Sequence, residues 1–389
     1  MDNTLPTIKE DRRNYGIDLL RIVSMIMVLV LHILGRGGIL YSDSISSINN
    51  DIAWFLEISC FCAVNCFGMV SGFVGYKSKH KYANILYLNL QVTFLLLISI
   101  TIFKIRYPNA VTITDFKKAS MPFCFYVLWY YRAYFCMFFF IPLMNKGMEL
   151  MNRNEGRMIV ASIFILLTII PTCLNDDVYT TSNGYSCFWL MGCYMVGAYF
   201  SKYEIEKKIK WWALLIILIV SIIFTFSWFK VPYDVFFLSY LVDYTSPTIF
   251  INGAMLVLLF AKTKPHKVTK YIIKFFAPLA FSVYVIHVSP YFWQKFMYNR
   301  FTNLVNLNPF LFPLAVLGIA ILLFICFALI DYIRYLLFKV CRVKEFFNYL
   351  ELKIRKLLSK VFKDDNKVEK EETTEETNEE NNLEIEVEK

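Results

Sequence analysis

The 389-residue chain is 57% apolar and 18% aromatic, with only 18% of its residues charged. A soluble domain is close to half apolar and a quarter charged, so this balance excludes an ordinary soluble protein and points to a membrane. The net charge of +9 conceals an asymmetry: residues 364–389 carry twelve acids against three lysines, a net of −9, which leaves +18 on the rest.

The segment 1–15 is polar, and the first apolar stretch is too long and too interrupted by charge to be the core of a cleaved signal peptide. Apolar blocks of about twenty residues follow, the length that crosses a bilayer as helix. They place ten candidate spans at 16–35, 52–76, 84–103, 122–144, 158–175, 185–200, 211–229, 246–261, 274–293 and 310–338. The sixth is short and the eighth loosely bounded. With the N-terminus inside, the inner segments hold eighteen Lys and Arg against eight outside, the loop 104–121 being discordant. The expectation is an all-α integral membrane protein of the plasma membrane, with about ten transmembrane helices and both termini cytoplasmic. Nine or eleven spans are the alternatives.

Charged groups inside a span cost a few kcal/mol each on insertion scales, about 3 for a central Arg or Asp. The first span, DLLRIVSMIMVLVLH, nonetheless carries Asp18, Arg21 and His32. Eleven residues of helix turn three times plus about 20°, so Arg21 and His32 share a face, roughly 16 Å apart along the axis. Asp18 lies one turn below Arg21 on the same face. Singly, these side chains read as interfacial ion pairs and hydrogen-bonded core. As one stripe they imply a shared cavity. A neutral imidazole can take a proton from a hydroxyl, and an arginine can bind phosphate or steady developing negative charge. That combination suits acyl transfer, while periodicity alone leaves open a transporter's proton relay.

Further along, Glu57 is a candidate orienter of the histidine or a polar packing partner, and Asp51 a candidate helix cap. Ser71 reads as a packing residue beside Gly72. His80 and His266 fall in basic inner loops and add surface charge. Arg132, mid-span, is expected to face the cavity or to pair with Glu57. Trp189, Trp211 and Trp212 read as an interfacial belt. The cysteines, including Cys60, Cys62, Cys66 and Cys136, match no zinc or redox spacing and read as small packing residues, with neither disulfide nor metal. His287 is a candidate cavity residue. Residues 339–363 alternate basic and apolar side chains, as a helix lying on anionic membrane lipid would. The acidic tail 364–389 is expected to be disordered. The basic face is directed at lipid, with no nucleic acid implied, and oligomeric state is unknown from sequence.

IDLLRIVSMIMVLVLHILG, with ten residues between Arg21 and His32, resembles the opening motif of the membrane acyltransferase-3 family. FGMVSGFVGYKSKHK, VLWYYRAYFCMFFFIPLM, GCYMVGAYFSKYE and FSVYVIHVSPY resemble its later segments in order, so the likeness runs from about residue 14 to 338. Such proteins are ten-helix acyltransferases that commonly O-acetylate bacterial envelope carbohydrates. The resemblance therefore implies acetyl-CoA as acyl donor, a carbohydrate acceptor, His32 as base and Arg21 as a cavity residue needed for activity. It implies phosphate binding at Lys79 and Lys81, with Lys77 beside them. Members often have Arg-x-Arg where this chain has Lys-x-Lys, and lysine lacks the bidentate fork. Some members add a soluble hydrolase-like extension. This sequence shows none, so the membrane domain 16–338 is expected to bind the acceptor itself. The competing reading is a transporter of a lipid-linked sugar or other amphiphile, with the same stripe as its path.

Overall fold

The computed structural model describes residues 13–125, 128–231 and 241–360. Most of the N-terminal segment and the acidic tail, on which two of the expectations above fall, lie outside them. Every regular element among the described residues is helical: α1 (Tyr15–Leu34), α2 (Ser47–Cys60), α3 (Ala63–Gly75), α4 (Tyr82–Arg106), α5 (Ile113–Ser120), α6 (Trp129–Leu150), α7 (Arg153–Phe164), α8 (Ile170–Leu174), α9 (Cys187–Tyr203), α10 (Ile205–Lys208), α11 (Trp211–Phe229), α12 (Pro247–Lys262), α13 (Lys267–Phe276), α14 (Ala280–Val288), α15 (Pro290–Phe292) and α16 (Leu311–Val340). A π-helical turn at Ile165–Ile169 joins α7 to α8, and residues 343–360 are helical again.

Seven helical runs are long and apolar enough to cross a membrane: Tyr15–Leu34, Ser47–Gly75, Tyr82–Arg106, Arg153–Leu174, Trp211–Phe229, Lys267–Val288 and Leu311–Val340. This is a multi-pass membrane protein. The other three expected spans fall on α6, α9 and α12. The last two have 17 and 16 residues, and α6 carries Arg132, Lys146 and Glu149, so among the described residues length and hydropathy support seven of the ten. Boundaries also move. The second span is broken at Phe61–Cys62, the fourth starts at Trp129, and the ninth ends at Val288, where Pro290 cannot supply the next helical N–H.

The chain divides into two compact units, residues 1–80 with 89–335 and residues 81–88 with 336–389. In the smaller, Glu351 accepts the Ala83 N–H at 2.8 Å and pairs with Arg355 at 2.6 Å, and Tyr87 meets Phe338 edge to face.

The larger unit is built around the α3–α9 contact. Gly68 and Gly72 form a G-x-x-x-G step, the small-residue spacing that lets membrane helices approach closely. A Cβ at Gly72 would collide with the Tyr194 carbonyl, and one at Gly197 with the Met69 carbonyl. Buried Asn65 fastens the start of this pair, its Nδ2 donating to the Tyr244 carbonyl at 2.8 Å and its Oδ1 accepting from Trp189 Nε1 at 3.0 Å. Trp189 is thus fully buried rather than part of a belt, whereas Trp211 and Trp212 are exposed at the start of α11.

These contacts also fix directions. Asn65 opens α3 beside Tyr244, just ahead of α12. Gly16, at the start of α1, abuts Phe260 and Thr263 at the end of α12. So α3, α9 and α12 run together and α1 runs against them. The Arg21 end of α1 therefore lies on the side where α3 delivers Lys77 and Lys79, and His32 on the opposite side.

Elsewhere Gln91 donates to Ser282 at 2.6 Å and Ser99 to Ser289 at 2.8 Å, tying α4 to α14 and its end. In α16 a buried Asp331–Arg334 pair closes at 2.7 Å through two parallel bonds. Ser46, not Asp51, caps α2, accepting the Asn49 N–H, while Asp51 pairs with Lys230. Ser71 spends its hydroxyl on the Phe67 carbonyl at 2.8 Å, as a packing residue does. All ten thiols are free; Cys60, Cys62, Cys66 and Cys193 are buried, but Cys136 is exposed.

Gly72→Leu or Gly197→Leu should lower the stability of detergent-solubilised protein by at least about 1–3 kcal/mol, because backbone rather than side chain occupies the space. Gly147→Ala, whose Cβ meets nothing within 4 Å, should be neutral or stabilising by up to about 1 kcal/mol. Thermal unfolding followed by size-exclusion chromatography distinguishes these outcomes.

Candidate functional site

Helix α1 begins at Asn14, whose Oδ1 accepts the Ile17 N–H at 3.1 Å while its Nδ2 donates to the Ala261 carbonyl at 3.0 Å. This anchors the start of α1 to the end of α12. One turn on, Asp18 accepts from Arg13 at 2.5 Å and from Arg21 at 2.7 Å. The lower stripe is thus an ion-paired trio with one excess positive charge. Arg21 is one-third exposed.

At the other end, His32 Nδ1 lies 2.8 Å from His287 Nε2. His287 is fully buried, and its Nδ1 lies 2.6 Å from the Val283 carbonyl. The carbonyl can only accept, so His287 Nδ1 carries the proton and its Nε2 is the acceptor. His32 Nδ1–H then donates to that nitrogen, which leaves the lone pair of His32 on Nε2. The chain Val283–His287–His32 thereby holds one tautomer and one ring orientation, the task of the orienting group behind a general base. The edge of Trp293 completes the support, 4.9 Å from the His32 ring. Trp293 comes within reach because α14 stops at Ser289–Pro290 and the chain turns into a π-helical segment, Trp293–Met297.

His32 stands between two cavities. On one side is an open vestibule of about 870 Å³, lined among others by Arg36, Glu57, Phe61, Tyr244 and Trp293. On the other is a small, largely apolar cavity of about 50 Å³, lined among others by Met25, Val28, Tyr130, Phe281 and Tyr284. Both cavities thus adjoin the His32 end of α1, and Arg21 lines neither of them.

The remaining expected residues separate. Glu57 lines the vestibule, nine-tenths buried. It is not the orienter of the histidine, since His287 occupies Nδ1, and it forms no ion pair with Arg132. Arg132 is half-buried on α6 and lines neither cavity. Lys77 and Lys79 end the larger unit and Lys81 begins the smaller; all three are exposed. His80 lies against Phe138 with ring centroids 4.4 Å apart, and His266 is exposed. Among the described residues no cluster of metal-ligating side chains is present.

Sequence reasoning missed Arg36 and Trp293. The Arg36 guanidinium lies 4.1 Å from the Tyr298 ring centroid and 5.4 Å from that of Trp293. Its loop is held by Asn299 N–H donating to the Arg36 carbonyl and Phe301 N–H to that of Gly37, both at 3.1 Å. Gly38 makes the turn at φ +87°, where a side chain would be strained and would strike Asn299. The Gly35–Arg36–Gly37–Gly38 run was a legible signal for such a turn.

The acyltransferase-3 family model, described as an acyltransferase domain, matches residues 14–331. No curated protein matches, and no solved structure does.

The hydrogen-bond chain predicts that His32 is the Nδ1–H tautomer. With four histidines in the protein, ¹⁵N NMR of histidine-labelled protein in lipid should show His32 Nε2 unprotonated at neutral pH, and His287→Ala should abolish that single-tautomer signal.

Proposed function

The chain belongs to the acyltransferase-3 family, and on that premise we propose that it transfers an acetyl group from acetyl-CoA to a hydroxyl of a cell-surface or exported carbohydrate. The family makes it a membrane acyltransferase, and displaces the transporter reading of the polar stripe. The observation that carries the finer proposal is the oriented His32, set between a small apolar cavity and an open polar one.

In this reading the acceptor enters the vestibule and presents a hydroxyl to His32 Nε2. The imidazole takes the proton as the oxygen attacks the thioester carbonyl. The carbon–sulfur bond then breaks, and the imidazolium returns its proton to the departing thiolate. His287 keeps the imidazole aligned and stabilises it through the proton cycle. The donor comes from the opposite side, where Lys77 and Lys79 meet its phosphates as point charges. Arg21, short of full neutralisation by Asp18, steadies negative charge along the donor path. The small cavity beneath His32 favours a short acyl group.

By the preference of basic segments for the inner face, the lysine-bearing side is cytoplasmic; an acceptor at the cell surface places the protein in the plasma membrane. Residues 343–360, with Phe346, Tyr349 and Leu352 exposed among basic side chains, would then rest on its inner leaflet.

His32→Ala should reduce transfer by about 10²–10⁴-fold with protein levels unchanged. The readout is proton NMR of acetyl groups on envelope polysaccharide from deletion strains complemented with each variant; undiminished acetylation would reject the mechanism. Replacing Lys77 and Lys79 together by Ala should raise the KM for acetyl-CoA and flatten its dependence on ionic strength, measured as coenzyme A release by purified protein.

A further inference from the structure

Two polar atoms of the vestibule lack partners. Glu57 Oε2 is buried with no hydrogen bond, on a side chain nine-tenths removed from solvent. Arg36 Nε is likewise buried and unbonded, while the face of its guanidinium is covered by Tyr298 and Trp293. Burying a carboxyl oxygen or a guanidinium N–H without a partner is costly, and the side chains of Glu57 and Arg36 both line the cavity that His32 opens into. Neither is explained by the proton relay. His32 Nδ1 already belongs to His287, and Glu57 has no ion pair.

A carboxyl group and a guanidinium with no ion pair between them thus line a single cavity beside the rings of Phe61 and Tyr244. A pyranose ring complements this set. Each of its hydroxyls both donates and accepts, and its C–H face suits an aromatic side chain. We propose that Glu57 and Arg36 bind the acceptor sugar, the Glu57 carboxyl group hydrogen-bonding to a hydroxyl next to the one acylated and the Arg36 guanidinium donating to a sugar oxygen. The inference rests on the acyl-transfer reading above and deepens it. The acceptor's position relative to His32 is then set by two groups outside the reacting atoms, and so is the choice of hydroxyl.

The test uses full-length protein in lipid nanodiscs, acetyl-CoA as donor, and as acceptor the alkali-deacetylated envelope polysaccharide of a deletion strain. Coenzyme A release gives rates, and NMR of the product gives the position of the ester. Glu57→Gln and Arg36→Gln should each raise the acceptor KM roughly 5- to 100-fold, as leaving a buried hydrogen-bond partner unsatisfied does. The KM for acetyl-CoA should stay unchanged and kcat within about 3-fold of wild type. Glu57→Asp should recover part of the loss, and the ester should spread over more than one hydroxyl in Glu57→Gln.

With active wild type, an unchanged acceptor KM in both variants would overturn the inference while leaving acyl transfer intact. A fall in kcat at constant acceptor KM would also overturn it, by moving Glu57 into the chemistry. No transfer by wild type would overturn the acyl-transfer reading and this inference with it. If Glu57→Gln cannot be recovered from membranes, Arg36→Gln decides alone.

Discussion

The hydrogen bond from His32 to His287 joins positions 255 residues apart, and the upper part of the larger unit is arranged around it. To bring His287 there, α14 must lie against α1, and Gln91 and Ser99 of α4 hold it in place through Ser282 and Ser289. To leave the distal nitrogen of His32 accessible, the chain must turn aside immediately afterwards. Pro290 makes that turn, and the redirected backbone returns Trp293 to the edge of the imidazole. A rigid ring at a cavity junction is the form of preorganisation that proton transfer requires, because reorientation would otherwise be paid at each turnover.

The second constraint is that apolar surroundings give no relief to unpartnered polar atoms. Along α1 the cost is met in two different ways. Asp18 is satisfied by Arg13 and Arg21 from its own chain neighbourhood, so that end is settled by local sequence. His32 is satisfied only when a distant helix arrives. Between them, the glycine-mediated approach of α3 to α9 and the Asn65 bonds to Tyr244 and Trp189 keep the vestibule's wall fixed relative to α1. Chemistry and packing are therefore assembled from the same small set of polar side chains.

This division explains what was legible in the sequence. The Arg21–His32 stripe follows from helical period alone, and the structure keeps both residues on one helix. The likeness of Ser71 and Gly72 to a packing pair also followed from local pattern. Long-range partners were not readable. Nothing near His287 in sequence indicates that its partner is His32 rather than water, and nothing near Glu57 shows that the orienting place is already taken. Trp189 sits at a span's start, where an interfacial ring is expected, but only the fold supplies Asn65 as partner for its indole N–H. Asp51 fits a cap by residue type, yet Ser46 lies at the position where backbone geometry permits capping. Arg36 passed as a loop charge because its aromatic neighbours are more than 250 residues away in the chain.

The two intramembrane ion pairs on α1 and α16 share one feature: Asp18 with Arg21, and Asp331 with Arg334, are spaced i,i+3. Such a pair forms as soon as its own helix does, before any other span is present. During biosynthesis, each of these helices can therefore leave the translocon with its aspartate already paired, without waiting for a partner synthesised later. The first helix can enter the bilayer before the remaining helices exist, and hold its place while some 250 further residues are made. His32 then stays without its imidazole partner until α14 is inserted. The histidine pair is thus completed late in the life of the nascent chain, after the membrane topology that contains it has been laid down.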